Sequence, residues 1–307
     1  MIGEMPKRRP DYWRSPAILS FLRRVGGVDP EVAVKSEAEK LITAANMVIP
    51  PFDPNKIAPL RRITSIQCSD SVSSSQLTPV TGGFIITVKR AAGSRDVFSL
   101  AHEIGHTFFY DTEPSTPVRL QRDMGGDAEE KLCDIFAAEL LMPEQTFRED
   151  ALRIFRDKGT WCETLFHLRS LYNVSMRAVT ERTVELGIPD GRPVVIRWSW
   201  RSKINDRKDV KLRVDWSVPL KDGRHYFVWP GKPASENSPF MRASLEDEFI
   251  REKARLKLGA LQGDFIVEAK GYHGKAIGSH KRISSASRSV LSIIWPTMDL
   301  QTKRDGS

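Results

Sequence analysis

Cysteine is scarce in this chain: three in 307 residues, Cys68, Cys133 and Cys162, with no C-x-x-C pair among them. That excludes a disulfide framework and argues against a cysteine-built zinc site. Long apolar runs are also missing. Stretches such as Phe84–Val88 are far short of the roughly 20 residues that a membrane span requires. Met1 to Trp13 is basic but no apolar segment follows it, so a secretory signal is not expected and the protein reads as cytoplasmic, with no membrane partner. No internal repeat is visible. At 40% apolar and 28% charged, the composition is that of an ordinary globular protein, and the length suggests about two domains.

What is present is unevenly placed. The net charge of +8 divides into −2 for residues 1–190 (24 Lys+Arg, 26 Asp+Glu) and +10 for residues 191–307 (23 and 13). Five of the seven tryptophans, Trp198, Trp200, Trp216, Trp229 and Trp295, lie in that basic part. A basic, aromatic-rich segment invites an anionic partner, whereas a solvated Lys/Arg face would have no partner at all.

Residues 1–30, broken by Pro6, Pro10, Pro16, Gly26, Gly27 and Pro30, read as an arm with one short helix near Ala17–Arg24. Val34, Ala38, Leu41, Ile42 and Ala45 recur at helical spacing and predict a helix over 31–47, stopped by Pro50-Pro51. Residues 63–68 and 83–90 read as strands, with a Ser/Thr-rich loop or irregular edge over 71–81 between them. Helices are expected at about 96–110, 127–142, 144–156, 161–171 and 175–186. From Pro193 the alternation Val194-x-Ile196-x-Trp198-x-Trp200 and Leu212-x-Val214-x-Trp216 marks strands, with one charged helix expected over 245–257, where Ser244 could act as its cap. The reading is an α+β protein with an arm (1–30), a mainly helical domain with a small sheet (31–190) and a β-rich basic domain (191–307).

The most informative residues are His102-Glu103-Ile104-Gly105-His106. On a helix of 3.6 residues per turn, His102 and His106 project from one face and suit a single zinc ion, with Glu103 placed to take a proton from a metal-bound water. Val97, Phe98, Leu100, Ala101, Phe108 and Phe109 would bury this helix, where unliganded histidines are costly. The next helix supplies Glu130 and Asp134, four apart and on one face. Glu130 is preferred as third ligand over its neighbour Glu129, and Asp134 as the acceptor that orients a ligand histidine.

Phe98 to His106, followed by Glu130-x-x-Cys133-Asp134-x-Phe136-Ala137-Ala138-Glu139-Leu140-Leu141-Met142-Pro143, resembles the ImmA/IrrE family of zinc metallopeptidases over about residues 31–187. The resemblance implies a gluzincin-like peptidase domain holding Zn2+ on His102, His106 and Glu130. It also implies Glu103 as general base, and a helix-turn-helix repressor cleaved in a stress or mobile-element response. Arg95 fits a basic position often seen in that family, and Asp134 stands where the family often has Asn. Tyr110, Arg95 and Arg177 are the candidates for stabilising the oxyanion.

Two other features stand apart from that chemistry. Leu168 to Arg182 has the rhythm of a helix-turn-helix, with Asn173-Val174-Ser175 as the turn and Arg177 and Arg182 as would-be DNA readers. In the basic domain, Arg197, Trp198 and Arg201, with Lys275, Lys281 and Arg282 in a Gly/Ser-rich stretch, are the candidate nucleic-acid or nucleotide site. The competing class is therefore a DNA- or nucleotide-binding regulator whose zinc is structural or vestigial.

Overall fold

The computed structural model describes residues 15–27, 29–89, 95–121, 127–188, 193–203, 206–218, 228–246, 249–259, 261–272 and 289–296. It divides into two compact units: residues 1–147 with 169–175, and residues 148–168 with 176–307.

In the first unit, local chemistry sets the helix ends. Ser15 caps α1 (Pro16–Val25) by accepting from the Ile18 amide at 3.1 Å, and Asp29 caps α2 (Pro30–Ala44) in the same way. Each helix opens on a proline, whose missing N–H costs nothing at that position. A third such proline, Pro54, capped by Asp53, opens the short α3 (Pro54–Ile57). A three-stranded sheet follows, in the order β1 (Ile63–Ser69), β3 (Gly83–Lys89), β2 (Gln76–Val80). β1 and β3 run parallel, and β2 returns antiparallel. The 71–81 segment expected as a loop thus contains an edge strand. Pairing on one side only makes Pro79 tolerable there and leaves the strand without an apolar face that sequence could announce. Gly83 is required by close approach, since a Cβ at that position would lie 1.9 Å from the Arg62 carbonyl oxygen.

The helix α4 (Arg95–His106) packs on α5 (Asp127–Leu141), and α5 packs in turn on α2. Phe108 meets Phe136 edge-on at 5.3 Å and Phe21 at 5.5 Å, while Phe84 meets Tyr110 at 5.1 Å. This aromatic core holds α4 by its apolar side, as its flanking residues lead one to expect.

The second unit takes the greater part of α6 (Glu144–Lys158) and of α7 (Trp161–Tyr172), and all of α8 (Met176–Glu185). These accompany a five-stranded antiparallel sheet, β7-β6-β10-β9-β8, built from β6 (Val194–Lys203), β7 (Asp206–Val218), β8 (Phe249–Leu258), β9 (Leu261–Tyr272) and β10 (Ser289–Pro296). The change of texture near residue 190 therefore does not coincide with the division into compact units, which falls inside two helices. One reason is visible at Glu268. Its fully buried carboxylate, on β9, accepts from the backbone N–H groups of Trp161 (2.9 Å) and Cys162 (3.4 Å) at the start of α7. Lys270 pairs with Glu163 at 2.5 Å beside it, and Phe166 packs edge-on against Tyr272 at 5.0 Å.

The expected helix over 245–257 is a strand. Only a short helix, α9 (Pro239–Leu245), precedes it, capped by Ser238. Lys, Arg, Glu and Leu are good helix formers, which drew the sequence reading. Pairing with β9 and burial of Ile250, Leu256 and Leu258 on one face override that preference. The fold class is the expected one, α+β with a β-rich C-terminal part.

Burial pushes the Glu268 carboxyl above its ordinary 4.5, against the opposing pull of the two backbone N–H donors and Arg251. A carboxyl held above its unfolded value contributes stability that is full below that value and lost as pH rises through the folded one. Glu268→Gln, which keeps an acceptor for both amides, should thus gain in thermal stability relative to wild type between pH 4 and pH 7. Glu268→Ala should lose about 1–3 kcal/mol at both, by orphaning the amides. Thermal melts of the three proteins at both pH values read this directly.

Candidate metal centre

Two helices build the site. Along α4, His102 and His106 fall one turn apart on the face toward α5, and their Nε2 atoms stand 3.2 Å apart. Glycine at 105 lets α5 come close: a Cβ there would meet the Cys133 Cα at 3.2 Å and the Phe136 ring at 3.2 Å. On α5, Glu130 Oε2 lies 3.2 Å from His102 Nε2 and 3.5 Å from His106 Nε2. Ligands about 2.0–2.1 Å from a tetrahedral zinc stand about 3.3–3.4 Å apart, so this triangle has the dimensions of one face of such a site.

Each histidine is turned by a carboxylate on its other nitrogen. His102 Nδ1 meets Asp134 Oδ1 at 2.8 Å, and His106 Nδ1 meets Glu129 Oε1 at 2.8 Å. That turns both Nε2 atoms toward the same point, which is how ligating imidazoles are held. Glu129 is nearly fully buried and is itself gripped by Arg119, whose Nη2 donates to Oε1 at 2.5 Å and whose Nη1 donates to the Tyr110 hydroxyl at 2.9 Å. Sequence reasoning weighed Glu129 only as an alternative ligand and passed over Arg119. Adjacent glutamates on one helix point about 100° apart, so the rotation of α5 against α4, not the spacing, gives them different tasks.

Glu103 is buried beside the pair. Desolvation pushes its carboxyl above the ordinary 4.5, partly offset by the two histidines. Burial alone would lower His106, but Cys133, Glu129 and Glu130 outweigh it and push the imidazole up to about 12. Glu130, bonded to that ring, falls to about 2. Cys133 also has its sulfur within 4.8 Å of donor atoms of both histidines. Its thiol is fully buried and pushed up to about 11 by that burial, on the closed side between the helices. Glu130 is half exposed and lines the cleft, so a metal held by it would be reached from the cleft side.

That cleft has a volume of about 460 Å³ and is lined by Ser74 to Leu77, Phe98, Ser99, His102, Glu103, His106, Arg119 and Glu130. Tyr110 is buried, its hydroxyl occupied by Arg119, and it does not line the cleft. Arg177 is exposed and paired with Glu181 at 2.7 Å. The side chain of Arg95 lies outside the described residues. Arg182, a would-be DNA reader, is buried and paired with Glu185 at 3.1 Å.

The basic-domain candidates are not a stacking site where they are described. Trp198 is fully buried, stacked on Phe240 at 4.4 Å with its indole N–H donating to Ser292. It shares the core face with Val194 and Ile196, an alternation that already pointed inward. Arg197 and Arg201 converge instead on Asp215, at 3.4 Å and 3.5 Å. Lys275, Lys281 and Arg282 lie outside the described residues.

Residues 62–183 match the family model described as the IrrE N-terminal-like domain, Peptidase_M78, which spans α4, α5 and the whole site. The resemblance read from the sequence is thereby shown for that segment, and the C-terminal sheet is outside it. No curated protein matches the chain. Among solved structures, a Mycobacterium tuberculosis transcriptional regulator is similar at a TM-score of 0.49 and 15% identity, over 90% of this chain and 78% of that one. At that level the likeness carries no argument about function.

The geometry separates three acidic or sulfur neighbours by metal analysis after dialysis. Glu130→Ala should lose zinc altogether, Glu129→Ala should weaken its retention about 10–100-fold, and Cys133→Ala should retain it. Gly105→Val should also lose zinc, by forcing α4 and α5 apart. Retention by Glu130→Ala, or loss confined to Cys133→Ala, would overturn the assignment.

Proposed function

We propose that this protein is a zinc-dependent endopeptidase that cleaves a protein partner, with His102, His106 and Glu130 as ligands and Glu103 as the catalytic residue. The single observation that carries the reading is the triangle of two imidazole nitrogens and one carboxylate oxygen, 3.2–3.5 Å on a side, opening onto a cleft with a buried glutamate beside it. Bound zinc would supply Lewis acidity and a water of lowered pKa. Glu103, held with a raised pKa in a desolvated niche, would serve as the general base and then as the proton donor to the departing amine nitrogen. Asp134 and Glu129, each against an Nδ1, fix the two rings with Nε2 turned toward Glu130. Arg119 lines the cleft and stands as the candidate for the developing oxyanion, in preference to Tyr110 and Arg177.

The edge strand β2 brings Gln76 and Leu77 to the same cleft. An extended peptide laid along that edge gains main-chain hydrogen bonds whatever its sequence, and it presents its backbone to the zinc site. This favours a polypeptide substrate over a small ester or amide. A helix-turn-helix repressor as that substrate, in a stress or mobile-element response, rests on the family resemblance. Among the described residues no helix is long and apolar enough to cross a membrane.

Glu103→Gln is close to isosteric and leaves the ligand set intact. Co-expression with a helix-turn-helix repressor should yield fragments with the wild-type protein and none with Glu103→Gln, while both proteins retain zinc. A Glu103→Gln protein that still relieves repression, with zinc bound, would instead favour a regulator with a structural metal.

A further inference from the structure

The strand β8 carries Arg251, Lys253, Arg255 and Lys257 at every second position, and all four are exposed. Their neighbours of opposite parity face the other way: Ile250, Leu256 and Leu258 are buried, and Glu252 is paired with Arg242. A helix would have scattered these cations around its circumference. The strand lines them up about 6.7 Å apart, in a row about 20 Å long. Among the described residues β8 is the terminal strand of its sheet, with no further strand beside the row.

From β9, the register sets Glu268, Ile266, Asp264 and Gln262 opposite the four cations in turn. Two carboxylates thus face four positive charges, and Glu268 is already committed to the start of α7 and to Arg251 at 3.7 Å. Lys253, Arg255 and Lys257 make no ion pair among the described residues. Like charges at this spacing repel one another along the row, a cost that calls for a compensating anion. Protection of a sheet edge from pairing would explain one or two lysines, but not four cations of one sign on one face.

We propose that this face of β8 binds the phosphate backbone of single-stranded nucleic acid, one phosphate per cation. A straight row of evenly spaced cations suits a single extended backbone. No large exposed apolar side chain lies on this face of β8, as insertion into a lipid surface would need. The net charge of +10 over residues 191–307 adds a longer-range attraction to the same partner. The site is separate from the zinc ligands and does not depend on the peptidase reading.

The test is binding of the full chain to labelled oligo-dT by fluorescence anisotropy over a range of salt concentrations. Combined Lys253→Ala, Arg255→Ala and Lys257→Ala substitution should lower the slope of log affinity against log salt by about 2, and Lys257→Ala alone by about 0.7. A control with Lys40→Ala, Lys56→Ala and Lys158→Ala removes equal charge from exposed positions elsewhere and should leave the slope unchanged. Glu103→Gln should bind as wild type does, so failure of the peptidase reading would not register here. Melting curves establish that each variant is folded, and the single substitution keeps the test valid if the triple one is not. Absence of oligo-dT binding, an equal loss in the control, or row-dependent binding to phosphatidylserine vesicles without oligo-dT binding would each overturn the proposal.

Discussion

Close approach of α4 and α5 at Gly105 is the constraint on which the rest of the first unit depends. The Cys133 backbone and the Phe136 ring each stand 3.2 Å from where a Cβ would be, closer than ordinary van der Waals contact, so a larger residue would need its neighbours to give. Only at that separation do a carboxylate of α5 and two imidazoles of α4 reach one another. The aromatic contacts of Phe108 with Phe21 and Phe136 hold α4 in this position from behind. Packing thus does the positioning, and the polar groups do the chemistry.

The polar groups are layered in a consistent way. Imidazole Nε2 atoms face the cleft, Nδ1 atoms face carboxylates, and the more buried of those carboxylates is itself held by Arg119. Without that arginine, Glu129 would be a buried charge beside Glu130, and the two would repel. Arg119 also lines the cleft, so the group that stabilises the orienting carboxylate is part of the cleft wall.

Much of this was legible in the sequence, for identifiable reasons. The H-E-x-x-H spacing and the Glu130/Asp134 pair are set by helix periodicity, so their faces follow from counting. β6 and β7 declared themselves by alternation. What escaped was non-local. The position of β2 at the cleft depends on sheet order, and Arg119 arrives from β5 (Val118–Arg119), outside either helix. The task of Glu129 depends on helix rotation. Trp198 was misjudged because an aromatic beside arginines suggests stacking, although its own strand parity placed it in the core. β8 was misread because four cations among leucines have high helix propensity, and only pairing with β9 decides otherwise.

The central claim is that two imidazoles and one carboxylate, without sulfur, hold a zinc ion that keeps an open position. Zinc K-edge X-ray absorption on the purified full chain tests it most directly. The account predicts a first coordination shell of nitrogen and oxygen alone, at about 2.0–2.1 Å. A sulfur scatterer at about 2.3 Å would place the metal on Cys133 and contradict it.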